Sequence, residues 1–391
     1  MVNVWRSVTK VSTWWPKLLL VAIVVLLSLE LSYFWRDREY LGLDFHAYEA
    51  AARVGEHSGW SHIYNQVEVR ASERELVPQQ ITLRFISPPL EAWLAAAMTP
   101  LPYWVAYAVW AVVMFSVMAF ALWWSSFYTG RARVLAVAAA IVPWWVLHSA
   151  YVGQVAPLVA ACVLIGWRLV REKRCVGAGL VLSVILLKPQ VAVVTPMALL
   201  AAGRRRAFVA WAAGAITVAA ASLLTLGPNG LSAYIDSVQG LPASSSDATL
   251  RGVSGLSGIA EVVVGIVVAG AALLTAYRGR ARPGIGIAAG VLASLISSPY
   301  LFENDLCLFG AAGWILWHEL PTPLWRASLT AIWILAATHL GVSRFGAASL
   351  NMWPLVELAA FFALVITVWI SPPVGPEPER ITPRARAEGG L

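Results

Sequence analysis

The sequence predicts an all-α polytopic membrane protein, and three observations carry that prediction. Of its 391 residues, 59% are hydrophobic and only 13% are charged, about half the charged share of an ordinary soluble domain. The apolar residues fall in runs long enough to cross a hydrocarbon core of about 30 Å. The basic residues cluster between alternate runs, as they do when one side of a bilayer faces the cytoplasm. This composition excludes a disordered chain. Three cysteines, Cys162, Cys175 and Cys307, have no paired spacing, so neither a disulfide framework nor a Cys-based metal site is expected.

The first run is 18–35. Lys17 precedes it as in a signal peptide, but Glu30, Tyr33 and Trp35 stand where small residues would mark cleavage, so a retained span is expected. A large loop, 36–102, follows. Within its LGLDFHAYEAAARVGEHSG, residues Ala47, Ala50, Ala51 and Val54 keep helical spacing, while Glu49 and Arg53 pair at i,i+4. That pattern predicts an amphipathic helix lying on the membrane, with Asp44 at or near its N-cap. The stretch PPLEAWLAAAMTPLP from Pro88 is apolar but short and bounded by prolines, and reads as a half-helix at the surface.

Further runs occupy 103–124, 134–149, 154–170, 207–226, 257–276, 325–340 and 352–370. Shorter ones, at 176–188, 190–202, 285–299 and 305–317, are interrupted by Pro189, Pro299 or a nearby charge, and count as spans because short segments are tolerated among others. The expectation is about twelve spans in one polytopic domain, 1–370, whose first outer loop carries interfacial helices. Residues 371–391, rich in Pro, Arg and Glu, read as a disordered cytoplasmic tail.

If 88–101 does not cross, the clusters Arg6/Lys10/Lys17, Arg131/Arg133, Arg168/Arg171/Lys173/Arg174, Arg204–Arg206, Arg278/Arg280/Arg282, Arg326 and Arg380/Arg384/Arg386 share one side. Nineteen of the 28 basic residues then lie there, against Lys188, Arg251 and Arg344 in the short opposite loops. That side is the cytoplasm, with both termini in it, and the protein belongs in the plasma membrane. The formal charge of +7 is accounted for by this asymmetry and points to lipid rather than nucleic acid. Trp14/Trp15, Trp123/Trp124 and Trp144/Trp145, near span ends, read as an interfacial belt.

The polar residues left at membrane depth or in outer loops are Asp44, Gln154, Lys188 with Gln190, Asp236, Arg251, Glu303-Asn304-Asp305 and Arg344. All fall on the extracytoplasmic face, which suggests a site there. Asp44 serves such a site or merely caps its helix. Lys188, followed by the helix-breaking Pro189, either snorkels to the interface or presents a cation to a phosphate from the headgroup layer. Arg344 is a second such cation or an anchor. Glu303 and Asp305 suit acid or base work, or neutralise Lys188 or Arg344. Gln154 is a polar kink or a cap. His46, His57 and His62 are not spaced as a metal set and are expected at the surface. Asp37-Arg38-Glu39, a lone D-x-E, reads as solvated charge. Nothing matches a Walker loop, a GxSxG elbow, HExxH or GxGxxG.

The runs DFHAYEAA, FISPPLEAWLAAAMTPLP, the Gly153-Gln154 pair, Lys188-Pro189-Gln190, and Ser297 to Tyr300 followed by Asn304-Asp305 stand in the order found in glycosyltransferase family 87. The chain resembles that family, which includes mycobacterial polyprenyl-phosphate-mannose-dependent mannosyltransferases, from about residue 40 to 310. The resemblance implies a C-type glycosyltransferase fold, with a first outer loop that carries the essential acid. It also implies inverting transfer of a sugar, mannose first and arabinose second, from a polyprenyl-phosphate carrier to a lipid or glycan hydroxyl of the cell envelope. Asp44 aligns with the loop aspartate and Lys188 with the lysine of the KPQ motif. The chain departs from the mannosyltransferases where they carry histidines after the SP motif and it reads Glu303-Asn304-Asp305.

On this reading Asp44 is the general base, with Glu303 or Asp305 the second choice, and Lys188 and Arg344 receive the donor phosphate. His46, Tyr48, Gln154, Gln190 and Asn304 are assigned to substrate binding. No metal and no cofactor is expected. The competing class is a transporter or lipid flippase, whose site would lie near the midplane between repeats, whereas these residues gather at one face and no repeat is visible. A non-catalytic subunit of an envelope-synthesis complex is the third.

Overall fold

The computed structural model of the chain describes residues 15–36, 38–191, 193–240, 249–338 and 352–371. Its helices are α1 (Trp15–Arg36), α2 (Leu43–Ser58), α3 (Gln66–Leu76), α4 (Pro89–Ala96), α5 (Tyr103–Ser125), α6 (Gly130–Ile141), α7 (Trp144–Val152), α8 (Ala156–Arg171) and α9 (Cys175–Leu182). They continue as α10 (Val194–Ala201), α11 (Arg205–Gln239), α12 (Leu250–Ser254), α13 (Ile259–Arg278), α14 (Pro283–Ile296), α15 (Leu306–Glu319), α16 (Pro323–Ala337) and α17 (Trp353–Ile370). Among the described residues there is no strand, so the all-helical expectation holds.

Five helices, α1, α5, α11, α13 and α17, are long and apolar enough to cross a membrane, and the bent pair α6 and α7 makes a sixth candidate. Shorter apolar helices lie at Cys175–Leu187, Pro189–Ala201, Pro283–Ile296 and Pro323–Ala337. Outward-facing apolar residues such as Leu224 and Ile259, both 85% exposed, require lipid around them, because water would make this surface aggregate. The chain is therefore a multi-pass membrane protein.

The run 134–149 is not one straight span. Pro143 has no N–H to continue the ladder, and α6 meets α7 there at 65°. The bend turns Trp144 and Trp145 inward, each 2% exposed, and the Trp145 ring packs edge-on to Trp353 at 5.1 Å. Those two tryptophans are core, not belt. Trp123, on α5, does stay exposed, and Trp14 lies outside the described residues. A second break divides α11 where the apolar run ends, at Gly227 and Pro228. The piece beyond it rests on the large loop 36–102: the Tyr64 and Tyr234 rings are 4.9 Å apart, and Gln66 Nε2 donates to Ser237 Oγ (3.3 Å).

That loop is a packed unit. Helix α2 forms over the expected residues and keeps the Arg53–Glu49 ion pair at 2.7 Å, but it does not lie on the surface with one face in lipid. Eleven of its residues are buried, including Ala47, Ala50, Ala51 and Ala52; these small side chains let α3 and α4 close over it. Asp44 stands near the N-cap as expected, in the first turn just past Gly42, which occupies the cap itself. The half-helix expected from Pro88 is α4, with Pro89 in its first turn. The tail beyond Ser371 lies outside the described residues.

Candidate active site

Four ionisable side chains from separate parts of the chain converge where the 36–102 loop meets the membrane helices. Lys188 occupies the break foreseen at Pro189, between 3-10 turns at Ser183–Leu187 and Pro189–Val191. It is 5% exposed and does not snorkel: its Nζ is 2.7 Å from Asp305 Oδ1. Asp305 ends a 3-10 turn ahead of α15, and its Oδ2 accepts the Phe302 N–H (3.1 Å). Asp44, on α2, and Glu91, in the first turn of α4, lie within the electrostatic reach of Lys188 and of each other.

The position of Asp44 is fixed from below by backbone contacts that only certain residues permit. Gly153 has φ +80°, and a Cβ there would stand 2.5 Å from Phe45 Cβ, so α2 can approach the α7–α8 turn only over a glycine. Three aromatic donors one turn apart on α5 fasten the same junction. Tyr103 Oη donates to Gly42 O (3.0 Å), Tyr107 Oη to Tyr151 O (2.8 Å) and Trp110 Nε1 to Gly153 O (2.8 Å). The Gly42 N–H completes it by donating to Tyr151 O (2.8 Å). Gln154, next in the turn, hydrogen-bonds Asp44.

The electrostatics follow from burial. Asp44 is surrounded by protein yet keeps part of its surface accessible. Burial pushes its pKa up to about 6, against the opposing Lys188 charge and the Gln154 hydrogen bond. Glu91 is 2% exposed, and burial pushes it up to about 7, again against Lys188. Asp44 is therefore mostly ionised at neutral pH but readily protonated, the balance a general base needs. Asp305 is fully buried and committed to Lys188 and to its own turn, which suits it to holding the lysine rather than to moving a proton.

The other expected site residues divide. Tyr48, one turn along α2 from Asp44, is 3% exposed and lies beside Glu91. Gln190 accepts from Tyr300 Oη at 3.4 Å, which joins the KPQ and SSPY segments. Asn304, 4% exposed, and the half-buried Glu303 precede Asp305 in the same turn. His46 is not at the surface and does not face the site: it is fully buried, its Nε2 is 2.7 Å from Glu73 O, and its ring meets Tyr103 edge-on at 5.4 Å. His57 and His62 are exposed as expected. Asp236 is exposed, Arg251 pairs with Glu261 at 3.6 Å, and Arg344 lies outside the described residues. Among the described residues no group of three or more His, Cys, Asp or Glu is arranged to hold a metal ion.

Glu91 is the member of the cluster that sequence reasoning missed. Its signal was a lone acid in an otherwise apolar eight-residue helix, PLEAWLAA, where a buried charge must have a task.

Compared with known proteins, the chain matches the family model described as glycosyltransferase family 87 over residues 85–299, more than half of its length. The match includes Glu91, Gln154, Lys188 and Gln190, begins after Asp44 and ends before Glu303. No curated protein and no solved structure matches.

Proposed function

Since the chain belongs to glycosyltransferase family 87 and is a membrane protein, we propose that it moves a sugar from a polyprenyl-phosphate carrier to a hydroxyl of a lipid or glycan at the extracytoplasmic face. The observation that carries this reading is the meeting of a partly accessible, readily protonated carboxylate, Asp44, with a buried ammonium, Lys188, at the edge of the membrane helices. On this reading the chain makes about twelve crossings, with both termini in the cytoplasm and that junction on the outer side. Family membership disfavours the transporter and non-catalytic readings.

In the reaction proposed, the acceptor oxygen attacks C1 of the sugar from the face opposite the phosphate. As the new C1–O bond forms, Asp44 takes the hydroxyl proton, the C1–O bond to phosphate breaks, and its electron pair leaves with the polyprenyl phosphate. Lys188 stabilises that charge. Its ammonium has three donors, and Asp305 is its one ion-pair partner among the described residues, so donors remain for a phosphate oxygen. Attack opposite the leaving group inverts the anomeric centre. A monophosphate leaving group beside a fixed cation has less need of a divalent metal than a diphosphate would, so metal-independent transfer is proposed. Mannose is the first sugar to try and arabinose the second.

The test is transfer of radiolabel from polyprenyl-phosphate-mannose to extracted envelope lipids by membranes containing the wild type or Asp44→Ala, with EDTA in parallel. Transfer that survives EDTA and is lost in the variant is the expected result. Label accepted only from the arabinosyl carrier changes the sugar and leaves the rest standing. Full activity in Asp44→Ala removes the base assignment.

A further inference from the structure

Glu91 and Tyr48 hold polar atoms whose needs the fold meets only in part. Glu91 Oε2 and Tyr48 Oη are both buried with no partner in good hydrogen-bond geometry, and their polar neighbours are each other and Ser87. The two residues are 2% and 3% exposed, and they neighbour each other. A buried oxygen left unpaired costs free energy that natural structures seldom tolerate without a use. Glu91 interrupts an apolar helix that Gln or Leu would complete more cheaply, so stability does not explain it.

The kind of need identifies the kind of ligand. An ionised Glu91 only accepts, and Tyr48 both donates and accepts. A phosphate presents acceptors and negative charge and is repelled here. An alkyl chain meets neither need. Adjacent hydroxyls of a sugar ring meet both, because a carboxylate oxygen accepts an O–H that a phenol can in turn accept from or donate to.

We propose that Glu91 and Tyr48 form the subsite that grips the hydroxyls of the donor's sugar ring. This rests on the lipid-linked-sugar reaction above. With phosphate on Lys188 and hydroxyls on Glu91, the bond to be broken lies between them, in the part of the cluster that Asp44 also reaches. Selectivity among sugars follows, since a site built around hydroxyl donors rejects an analogue lacking one far more strongly than an apolar pocket rejects a missing methylene.

The test is direct binding to the full-length protein in lipid nanodiscs, for the bare polyprenyl phosphate and for its mannosyl and arabinosyl forms. The wild type is expected to bind one glycosylated carrier at least about tenfold more tightly than the bare one, the usual worth of a charge-assisted hydrogen bond. Glu91→Gln should lose that margin and bind the bare carrier as tightly as before or more tightly, since a negative charge near Lys188 has gone. Tyr48→Phe, which keeps the ring and its packing, should lose a few-fold on the glycosylated carrier alone. Glu91→Gln binding the glycosylated carrier like the wild type overturns the subsite, as does equal weakening for both carriers. A wild type that binds no carrier overturns the donor reading itself and the subsite with it, a pattern distinct from either.

Discussion

Gly153→Ala tests whether the fold sets the geometry of the site. The residue has φ +80°, a conformation that costs an alanine about 1–2 kcal/mol. The added Cβ would stand 2.5 Å from Phe45 Cβ, whereas carbon atoms settle about 3.5–4.0 Å apart. Helix α2 must therefore retreat from the α7–α8 turn by at least about 1 Å. Phe45 adjoins Asp44 and Gly153 adjoins Gln154, so the retreat separates the carboxylate from its hydrogen-bonding partner. A misplacement of about 1 Å costs on the order of a hundredfold in rate, and that loss in kcat is the expected result in a transfer assay with purified protein. Gly130→Ala is the control. Gly130 also has positive φ, +53°, but nothing within 4 Å of the new Cβ, so it should lose about the same 1–2 kcal/mol of stability and keep its kcat. Wild-type turnover in folded Gly153→Ala, or an equal loss in Gly130→Ala, would refute the reasoning.

Other expectations follow from the same cluster. Activity should fall as pH drops through about 6, because Asp44, raised to about 6 by burial, must be ionised to accept a proton; a flat kcat/KM profile between pH 5 and 8 contradicts the assignment. Gln154→Leu removes a hydrogen bond that favours the ionised Asp44 and should move that limb upward by about one pH unit, read from the same profile. Lys188→Met leaves Asp305 buried without its counter-ion and should cost about 3–5 kcal/mol. Adding Asp305→Asn should restore much of the thermal stability but no transfer, which separates the fold's need for the pair from the donor's need for the ammonium.

Much of this was legible in the sequence for a physical reason: span length, charge asymmetry and proline breaks are local signals. The positions of α5, α13 and α17, the half-helix α4 and the unwound stretch at Lys188 were all read this way. What escaped depended on contacts between distant segments. The burial of α2 comes from α3 and α4 closing over a run of alanines, and period alone cannot tell whether the second face of a helix meets lipid or protein. The same limit misread Trp144 and Trp145, which a bend at Pro143 turns inward. It also misread His46, whose Nε2 is tied to the Glu73 carbonyl of another helix. Glu91 was hidden because one acid in eight residues has no period.

The arrangement makes proton and donor depend on each other. In the cluster of Asp44, Glu91, Lys188 and Asp305, one ammonium faces three carboxylates, and Asp305 already holds it. An anionic phosphate entering beside Lys188 adds negative charge next to Asp44 and Glu91, which further favours their protonated forms. Glu91, at about 7 before the donor arrives, is the group that responds most near neutral pH. Binding of the bare polyprenyl phosphate, which brings no sugar hydroxyls to hold Glu91 ionised, should therefore take up protons near pH 7, measurable as a dependence of the binding heat on the ionisation enthalpy of the buffer. The uptake should shrink in Glu91→Gln and persist in Asp44→Asn. Uptake that vanishes with Asp44 instead would mean that the base itself is neutralised as the donor binds, and an enzyme so arranged would have to lose that proton again before each attack.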